Sequence, residues 1–428
     1  MPQTSKHNYT DKEIVKIAEQ LEESEVNDAG IALAKLAPEV AGEVLDHMNA
    51  EISAEIISQL ATAEAAEILV GMDPDSAVDI IEDLSDKRTE ELWEQMPDSD
   101  EEQLRDLANY PHDSAGGLMS PAVLALPEHL TVQEAINVIR AEANQKETVY
   151  YAFVVEPNRK LVGVLSLRDL ILESGNTSID QLVNISVVSV TPETDAEDVA
   201  MIFDRYNYLA LPVVDENNYL LGIVTVDDVI DAIREEETED MHRMVGVSPE
   251  ERVLSPWYES LKRRQPWLLF NLITAFAAAA IVGIFQDAIA EYTALAVLMP
   301  IIAGQGGNAG SQTVTVVVRG MALGGLEPGY GRSVLLKEFI LGAFNGVVIG
   351  AIVAAIAYGL FGIPELGIVV AIAMLFNLMV AGVMGALIPL GLRYVGADPA
   401  LASTILLTTI TDICGFLFLL GLGTLVLK

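Results

Sequence analysis

The chain is 428 residues long and carries 62 acidic against 24 basic residues, a formal charge of −38. A surface this acidic excludes nucleic-acid binding, which needs Lys and Arg to neutralise phosphates. A single cysteine, Cys414, excludes an intrachain disulfide and a cysteine-based zinc site.

The charge is unevenly divided: residues 1–265 hold 55 acidic and 19 basic residues, and residues 266–428 hold 7 and 5. The first part is therefore expected to be soluble and the last part to lie in lipid. Excess Asp and Glu suit divalent cations, and they also suit a salty cytoplasm, where they keep proteins soluble. The charge total alone specifies no metal site. The start MPQTSKHNYTDKEIV lacks an apolar h-region, so no signal peptide is expected and the soluble half should stay inside the cell.

From about residue 33 the sequence repeats every 12 residues. Leu36, Met48, Leu60, Met72, Leu84 and Met96 share one register, and Val44, Ile56, Ile68, Ile80, Leu92 and Leu104 share another. Twelve is not a whole number of 3.6-residue turns, so one straight helix would spiral these positions around its axis. Short separate helices stacked into a superhelix fit better. Asp73 before Pro74 reads as an N-cap with proline at the first helical position, and Pro38 and Pro97 punctuate other repeats.

After Tyr110 the words PHDSAGGLMSP break the repeat, and a β-α-β-β-α pattern follows twice. The first copy runs through TVQEAINVIRAE, YYAFVVE, KLVGVLS and LRDLILE; the second through AEDVAMIFDRYN, LALPVVD, YLLGIVT and VDDVIDAIREE. This α/β pair resembles a tandem of cystathionine-β-synthase (CBS) domains, with GVLSLRD and GIVTVDD as the most telling words. The resemblance implies an adenosine-nucleotide site, with ATP as the cofactor, at Ser166 with Asp169 and at Thr225 with Asp228. The same residues serve equally well as helix caps. The connector that follows is polarised, opening with Glu235, Glu236, Glu237, Glu239 and Asp240 and closing with Lys262, Arg263 and Arg264. A helix here would join the soluble part to the first span.

Five apolar runs follow, at residues 267–285, 292–318, 339–361, 367–392 and 400–427, each near or above the roughly 20 residues that span a bilayer. Lys262, Arg263, Arg264, Arg319, Arg332, Lys337 and Arg393 fall on one side and Asp287, Glu291 and Glu365 on the other. The positive-inside rule then puts the N-terminus in the cytoplasm and the C-terminal Lys428 outside. In the second run, Pro300, Gly304, Gly306, Gly307 and Gly310 are expected to loosen the helix midway, with Asn308 and Gln312 presenting amides to a watery cavity. Close helix packing through small residues is the other reading of those glycines. In the fifth run Asp398 before Pro399 reads as a helix cap. Asp412 is the only charged side chain between Asp398 and Lys428, with Thr408 and Thr404 at four-residue steps before it. A carboxylate at the bilayer centre costs about 2.5–3.5 kcal/mol, so it belongs on an ion path or inside a polar bundle.

As a whole the sequence resembles the MgtE family of magnesium channels, on the words AGGLMS, RQPWL, PIIAGQGGNAGSQ, GADPALAS and TTITD. The resemblance implies a homodimer around one pore lined by the second and fifth spans, with Asp412 binding Mg2+ and Thr408 and Thr404 beside it. It also implies regulatory Mg2+ in the cytosolic part, with Asp227 and Glu251 matching two such positions and Asp228 beside them; Ser248 replaces a third position that is often acidic.

The expected division is 1–117 helical repeats, 118–235 tandem CBS domains, 236–266 acidic linker and plug helix, and 267–428 a five-helix membrane domain. The expected function is Mg2+ passage across the cell membrane, closed by Mg2+ in the cytosol. A broader divalent path admitting Mn2+ or Co2+ and a membrane-anchored nucleotide sensor are the alternatives. No Walker motif, zinc-ligand cluster or nucleophile constellation points to an enzyme.

Overall fold

The structure is a computed structural model and describes residues 9–142, 150–249, 251, 253, 255–322, 324, 326, 329–401 and 403–427. Lys428, Arg252 and the first eight residues lie outside the described residues. The chain divides into two compact units, residues 1–233 and 234–428.

The first unit opens with short helices: α1 (Asp11–Glu22), α2 (Val26–Leu33), α3 (Pro38–Asp46), α4 (Ala50–Gln59), α5 (Thr62–Val70), α6 (Pro74–Glu82), α7 (Asp86–Trp93) and α8 (Asp98–Leu107). From α2 onward each begins 12 residues after the last, so one sequence repeat is one helix. Each packs mainly on the helix two places along, α2 on α4, α3 on α5, α4 on α6 and so on to α8. Val44, Ile56, Ile68, Ile80, Leu92 and Leu104 are all buried, because a fixed offset from each helix start always lands on the inner face. Asp73 does occupy the N-cap with Pro74 in the first turn, yet its side chain makes no capping hydrogen bond there. Where α4 ends, Arg88 of α7 closes it instead. Its guanidinium donates to the carbonyls of Ile57 (3.0 Å) and Leu60 (2.6 Å) and to the Thr62 hydroxyl (2.9 Å). The Leu60 carbonyl is of the kind that a helix terminus leaves without an internal donor, while the Ile57 carbonyl also accepts from the Leu60 amide at 3.3 Å.

The α/β part follows as β1 (Ala125–Pro127), α9 (Val132–Glu142), β2 (Tyr151–Val155), β3 (Leu161–Ser166), α10 (Leu167–Leu172), α11 (Ala196–Tyr206), β4 (Ala210–Val214), β5 (Leu220–Thr225) and α12 (Val226–Met244). β1 lies parallel to β2, β2 antiparallel to β3, and β4 antiparallel to β5. Both hairpins carry a register shift at the matching place, Val154/Val155 and Val213/Val214, which marks the two copies as structural repeats.

The second unit takes the end of α12, then α13 (Trp257–Ile284), α14 (Gln286–Glu291), α15 (Thr293–Ala322), α16 (Gly331–Phe361), α17 (Pro364–Tyr394) and α18 (Ser403–Val426). Among the described residues four helices, α13, α16, α17 and α18, are long and apolar enough to cross a membrane. The fifth expected span, α15, has the length, at 30 residues, but Gln305, Asn308, Ser311 and Gln312 dilute its apolar content.

The expected loosening of that span is not what the fold does: α15 is one uninterrupted helix with Pro300 inside it. Its glycines serve packing. Gly306 and Gly310 face α17 and α18, where an added Cβ would meet Asn377 and Leu407 at 2.4 and 2.6 Å, while Gly304 and Gly307 face open space.

Removing the Arg88 clamp tests the repeat stack. Arg88→Met should leave the α4 carbonyls short of donors, costing about 2 kcal/mol locally, and speed hydrogen exchange of α4 and α5 amides by about 30-fold. Exchange at wild-type rates would show the clamp to be dispensable.

Candidate functional site

α18 is apolar except for a stripe that the four-residue spacing sets on one side. Thr408 is exposed, Thr404 and Asp412 are half-buried, and Thr411, one step round the helix, is fully buried against Gly306. The Thr408 hydroxyl donates to the Thr404 carbonyl at 2.7 Å, as hydroxyls in apolar helices commonly do. Among the described residues, the Asp412 carboxylate takes part in no ion pair and no side-chain hydrogen bond. On α15, Gln305, Asn308, Gln312 and Thr315 are all exposed at steps of three and four, a second polar stripe, with Gln312 also lining a cavity beside Lys337, Glu338 and Asn345 of α16. Both predicted pore helices thus leave a polar face uncovered in a single chain.

At one end of this bundle the close of α12 sits on α15 and α18. The Thr404 hydroxyl donates to the Met244 carbonyl, and Met244 packs with Val314, Val318, Ala400 and Leu407. Arg243 pairs with both Glu239 and Asp398, and Arg319 donates to Glu237 at 2.7 Å. Asp398 also caps α18's approach, accepting from the Ala400 amide at 2.7 Å. Asp240 is half-buried beside this network, and its carboxyl is pushed up to about 6, first by burial and then by the Asp398 charge, with Arg319 opposing. Thr404 is therefore engaged by α12 rather than open to a path.

Two of the expected regulatory ligands, Asp228 and Glu251, each have a partner of their own. Asp228 is bound by the Thr225 hydroxyl at the start of α12, and burial, then the nearby charges of Asp227 and Asp73, push its carboxyl up to about 6 despite that bond. Glu251 is held by Arg264 at 2.7 Å, and the hydrogen bonds from Ser260 and Arg264 keep its carboxyl below the usual range. Among the described residues no three His, Cys, Asp or Glu side chains gather closely enough to hold a metal ion.

Of the two expected nucleotide pairs, Ser166 with Asp169 lines a cavity. Ser166 and Asp169 line a space of about 160 Å³ with Tyr151, Asn184 and Tyr208. Ser166 caps α10, accepting from the Asp169 amide at 3.1 Å and donating to its carboxylate at 2.5 Å. Thr225 and Asp228 repeat that capping geometry at β5 but do not line the cavity.

Two polar residues inside the bundle escaped the sequence reading. Glu338 of α16 is buried, accepting from the Thr313 hydroxyl at 3.0 Å with Lys337 at 3.1 Å. Asn377 of α17 is fully buried and donates to the Ile302 carbonyl at 2.9 Å. A polar residue isolated in an apolar run was the available signal for Asn377, while Glu338 stands beside Lys337 at the edge of its run.

Three family models match: an MgtE intracellular N domain over residues 12–113, CBS domains over 115–175 and 179–235, and an MgtE divalent cation transporter domain over 299–422. The magnesium transporter MgtE of Thermus thermophilus is 37% identical over 332 residues, covering 76% of this chain and 73% of its own length. Its namesake in Bacillus subtilis is 35% identical over 326 residues, covering 76% and 72%. Among solved structures, the soluble part of a magnesium transporter is 28% identical, covers 53% of this chain and 99% of that one, and has a TM-score of 0.43. The cytosolic domain of the Mg2+ channel MgtE in complex with ATP is 36% identical, with coverages of 50% and 92% and a TM-score of 0.39. With a relative this similar over nearly three quarters of its length, the chain belongs to the MgtE family of divalent cation transporters.

Proposed function

We propose that the chain conducts Mg2+ across the cell membrane as a homodimer with five spans per protomer, N-terminus in the cytoplasm and C-terminus outside. In this reading residues 1–117 form a superhelical repeat domain, 118–235 the CBS pair, 236–266 the connector and 267–428 the pore domain. Asp412 carries the reading: a carboxylate with no partner among the described residues, in a helix with no other charge, needs a cation or water beside it. Polar stripes left open on α15 and α18 would face lipid in a lone chain. A second copy across those faces turns them into a lined path with two carboxylates at one level. Mg2+ sheds its waters reluctantly, so such a ring would hold the hydrated ion, with Thr408, Asn308 and Gln312 taking its waters. At 1.5 Å per residue α15 is about 45 Å long, enough for the fifth span despite its polar middle.

The contacts of α12 support a gate at the cytoplasmic mouth, because Met244 covers Thr404 and Arg243 holds Asp398. Cytosolic Mg2+ bridging carboxylates such as Asp73, Asp227 and Asp228 would favour the shut state, and an adenosine nucleotide such as ATP at Ser166 and Asp169 would tune it. Only a ligand that binds the shut state better can shift the population.

In liposomes, Asp412→Ala should cut Mg2+ flux by about 100-fold or more, the scale of losing a charged filter group. Asp412→Asn should fall between. Flux at wild-type level in the alanine variant would remove Asp412 from the path, and equal Mg2+, Mn2+ and Co2+ fluxes in the wild type would favour the broader divalent reading.

Protonation of Asp240 bears on the gate. Docked α12 holds that proton with a value of about 6, against 3.8 for a free aspartate. Acid therefore stabilises docking, fully below the free value, and the stabilisation is lost as pH rises through the docked value. Flux should rise as the cytoplasmic-side pH goes from 5 to 7, roughly across that window. Asp240→Asn, fixed in the neutral form, should flatten the rise at its low end; an unchanged profile would show that Asp240 does not govern docking.

Mg2+ itself should compact residues 1–265. Trypsin cleavage at Arg243 and Arg252, compared with and without Mg2+ at constant ionic strength, should slow when Mg2+ is present. Equal rates would exclude Mg2+-driven compaction.

A further inference from the structure

Asn377 sits where three helices of the second unit meet, and it is completely buried. An amide in an apolar bundle carries a desolvation cost that leucine would avoid, so its presence calls for a task. Its Nδ2 donates to the Ile302 carbonyl of α15 at 2.9 Å, while its Oδ1 has no hydrogen-bond partner among the described residues. Ile302 lies four residues before Gly306, so this carbonyl is also the helical acceptor for the Gly306 amide.

The side chain occupies a slot that only two glycines leave open. A Cβ on Gly306 of α15 would come within 2.4 Å of Asn377 Nδ2 and 3.2 Å of Thr411 Cβ. One on Gly415 of α18 would come within 2.9 Å of the same Nδ2 and 3.0 Å of Ile302 Cγ2. The amide is thus wedged between the two helices that carry the polar stripes, on the turn of α18 that bears Asp412. Thr411, which touches the slot, is its chain neighbour, and Gly415 is three residues on.

We infer that Asn377 is a positioning residue: it sets the separation and rotation of α15 against α18 and thereby fixes where the Asp412 carboxylate stands. The inference rests on the reading of α15 and α18 as the lining of the ion path. A hydrogen bond to backbone plus a fitted slot determines rotation as well as distance, which an aliphatic side chain of the same size would leave free. Outer groups that orient an ion-binding carboxylate act on ion affinity more than on folding.

The test uses the full chain in liposomes, measuring Mg2+ flux against Mg2+ concentration alongside thermal melting. Asn377→Leu, close in size but without the donor, should raise the concentration for half-maximal flux by about tenfold, with a smaller change in maximal flux and in melting. Gly306→Ala should lower flux by about tenfold through the clash in the slot, and adding Asn377→Ala should recover at least roughly threefold of it by vacating that space. If Asn377→Leu does not fold, the Gly306→Ala and double-variant pair decides the matter. An unchanged half-saturation in folded Asn377→Leu, or no recovery in the double variant, overturns the inference. Asp412→Ala run in parallel separates the two levels. Loss of flux there with a wild-type half-saturation in Asn377→Leu sinks the positioning role alone, whereas retained flux in Asp412→Ala sinks the path reading beneath it.

Discussion

Close approach of helix backbones through glycine is the constraint on which the membrane unit depends. Lipid supplies no hydrophobic force between apolar helices, so packing and buried hydrogen bonds must hold them together. α16 presents Gly342, Gly346 and Gly350 in a row to α17, where an added Cβ would lie 2.5 Å from the Leu378 carbonyl oxygen, 2.7 Å from Leu375 Cα and 2.9 Å from the Ala371 carbonyl oxygen. Gly385 of α17 approaches the Gly310 carbonyl of α15 in the same manner, and Gly310 in turn receives Leu407 of α18. Each contact is small on its own, since one pair of heavy atoms contributes only about 0.1–0.2 kcal/mol, but backbone-to-backbone approach multiplies the pairs. The result is a frame with little tolerance, and side chains mounted on it inherit fixed positions.

Three polar groups in that frame meet their environment in different ways. Glu338 has both a hydroxyl donor and a lysine, so its charge is answered inside the protein. Asn377 is answered by half, through its donor. Asp412 is not answered at all by the described residues. An insertion cost of about 2.5–3.5 kcal/mol for a central carboxylate exceeds the roughly 1 kcal/mol that a typical hydrogen bond returns. A partnerless carboxylate at this depth is therefore hard to justify as packing, and easy to justify as a group whose partner is water-borne.

Much of this could be read in the sequence where a period was fixed. The 12-residue repeat gave both the helix starts and the buried register, because a constant period with a constant offset leaves no freedom in which residue turns inward. The Thr404, Thr408 and Asp412 spacing likewise gave the stripe on α18. What the sequence did not resolve was the meaning of glycine. The run GQGGNAG looks the same whether a helix breaks there or packs tightly there, and only the neighbouring helices decide; here Gly306 and Gly310 meet α17 and α18 while Gly304 and Gly307 meet nothing. The Gly342, Gly346 and Gly350 spacing in α16 was a readable small-residue pattern that decides the α17 contact. Asn377 showed in the sequence only as a lone amide in an apolar run, because its role depends on two glycines from separate helices, 71 and 38 residues away in the chain. The carboxylates expected to bind regulatory ions could be named but not assembled, since Glu251 already has Arg264 and Asp228 already has Thr225.

Those occupied carboxylates have a consequence for how a gate of this kind can work. A carboxylate held by arginine or a hydroxyl through one oxygen keeps lone pairs on the other, so a cation can share the group or displace its partner. α12 carries such engaged carboxylates at both ends, Asp228 beside Thr225 in its first turn and Glu239 beside Arg243 near its last. In the proposed scheme, whatever an ion does at Asp228, only the part of its affinity that differs between the open and shut states can shift the population, not the full ion affinity.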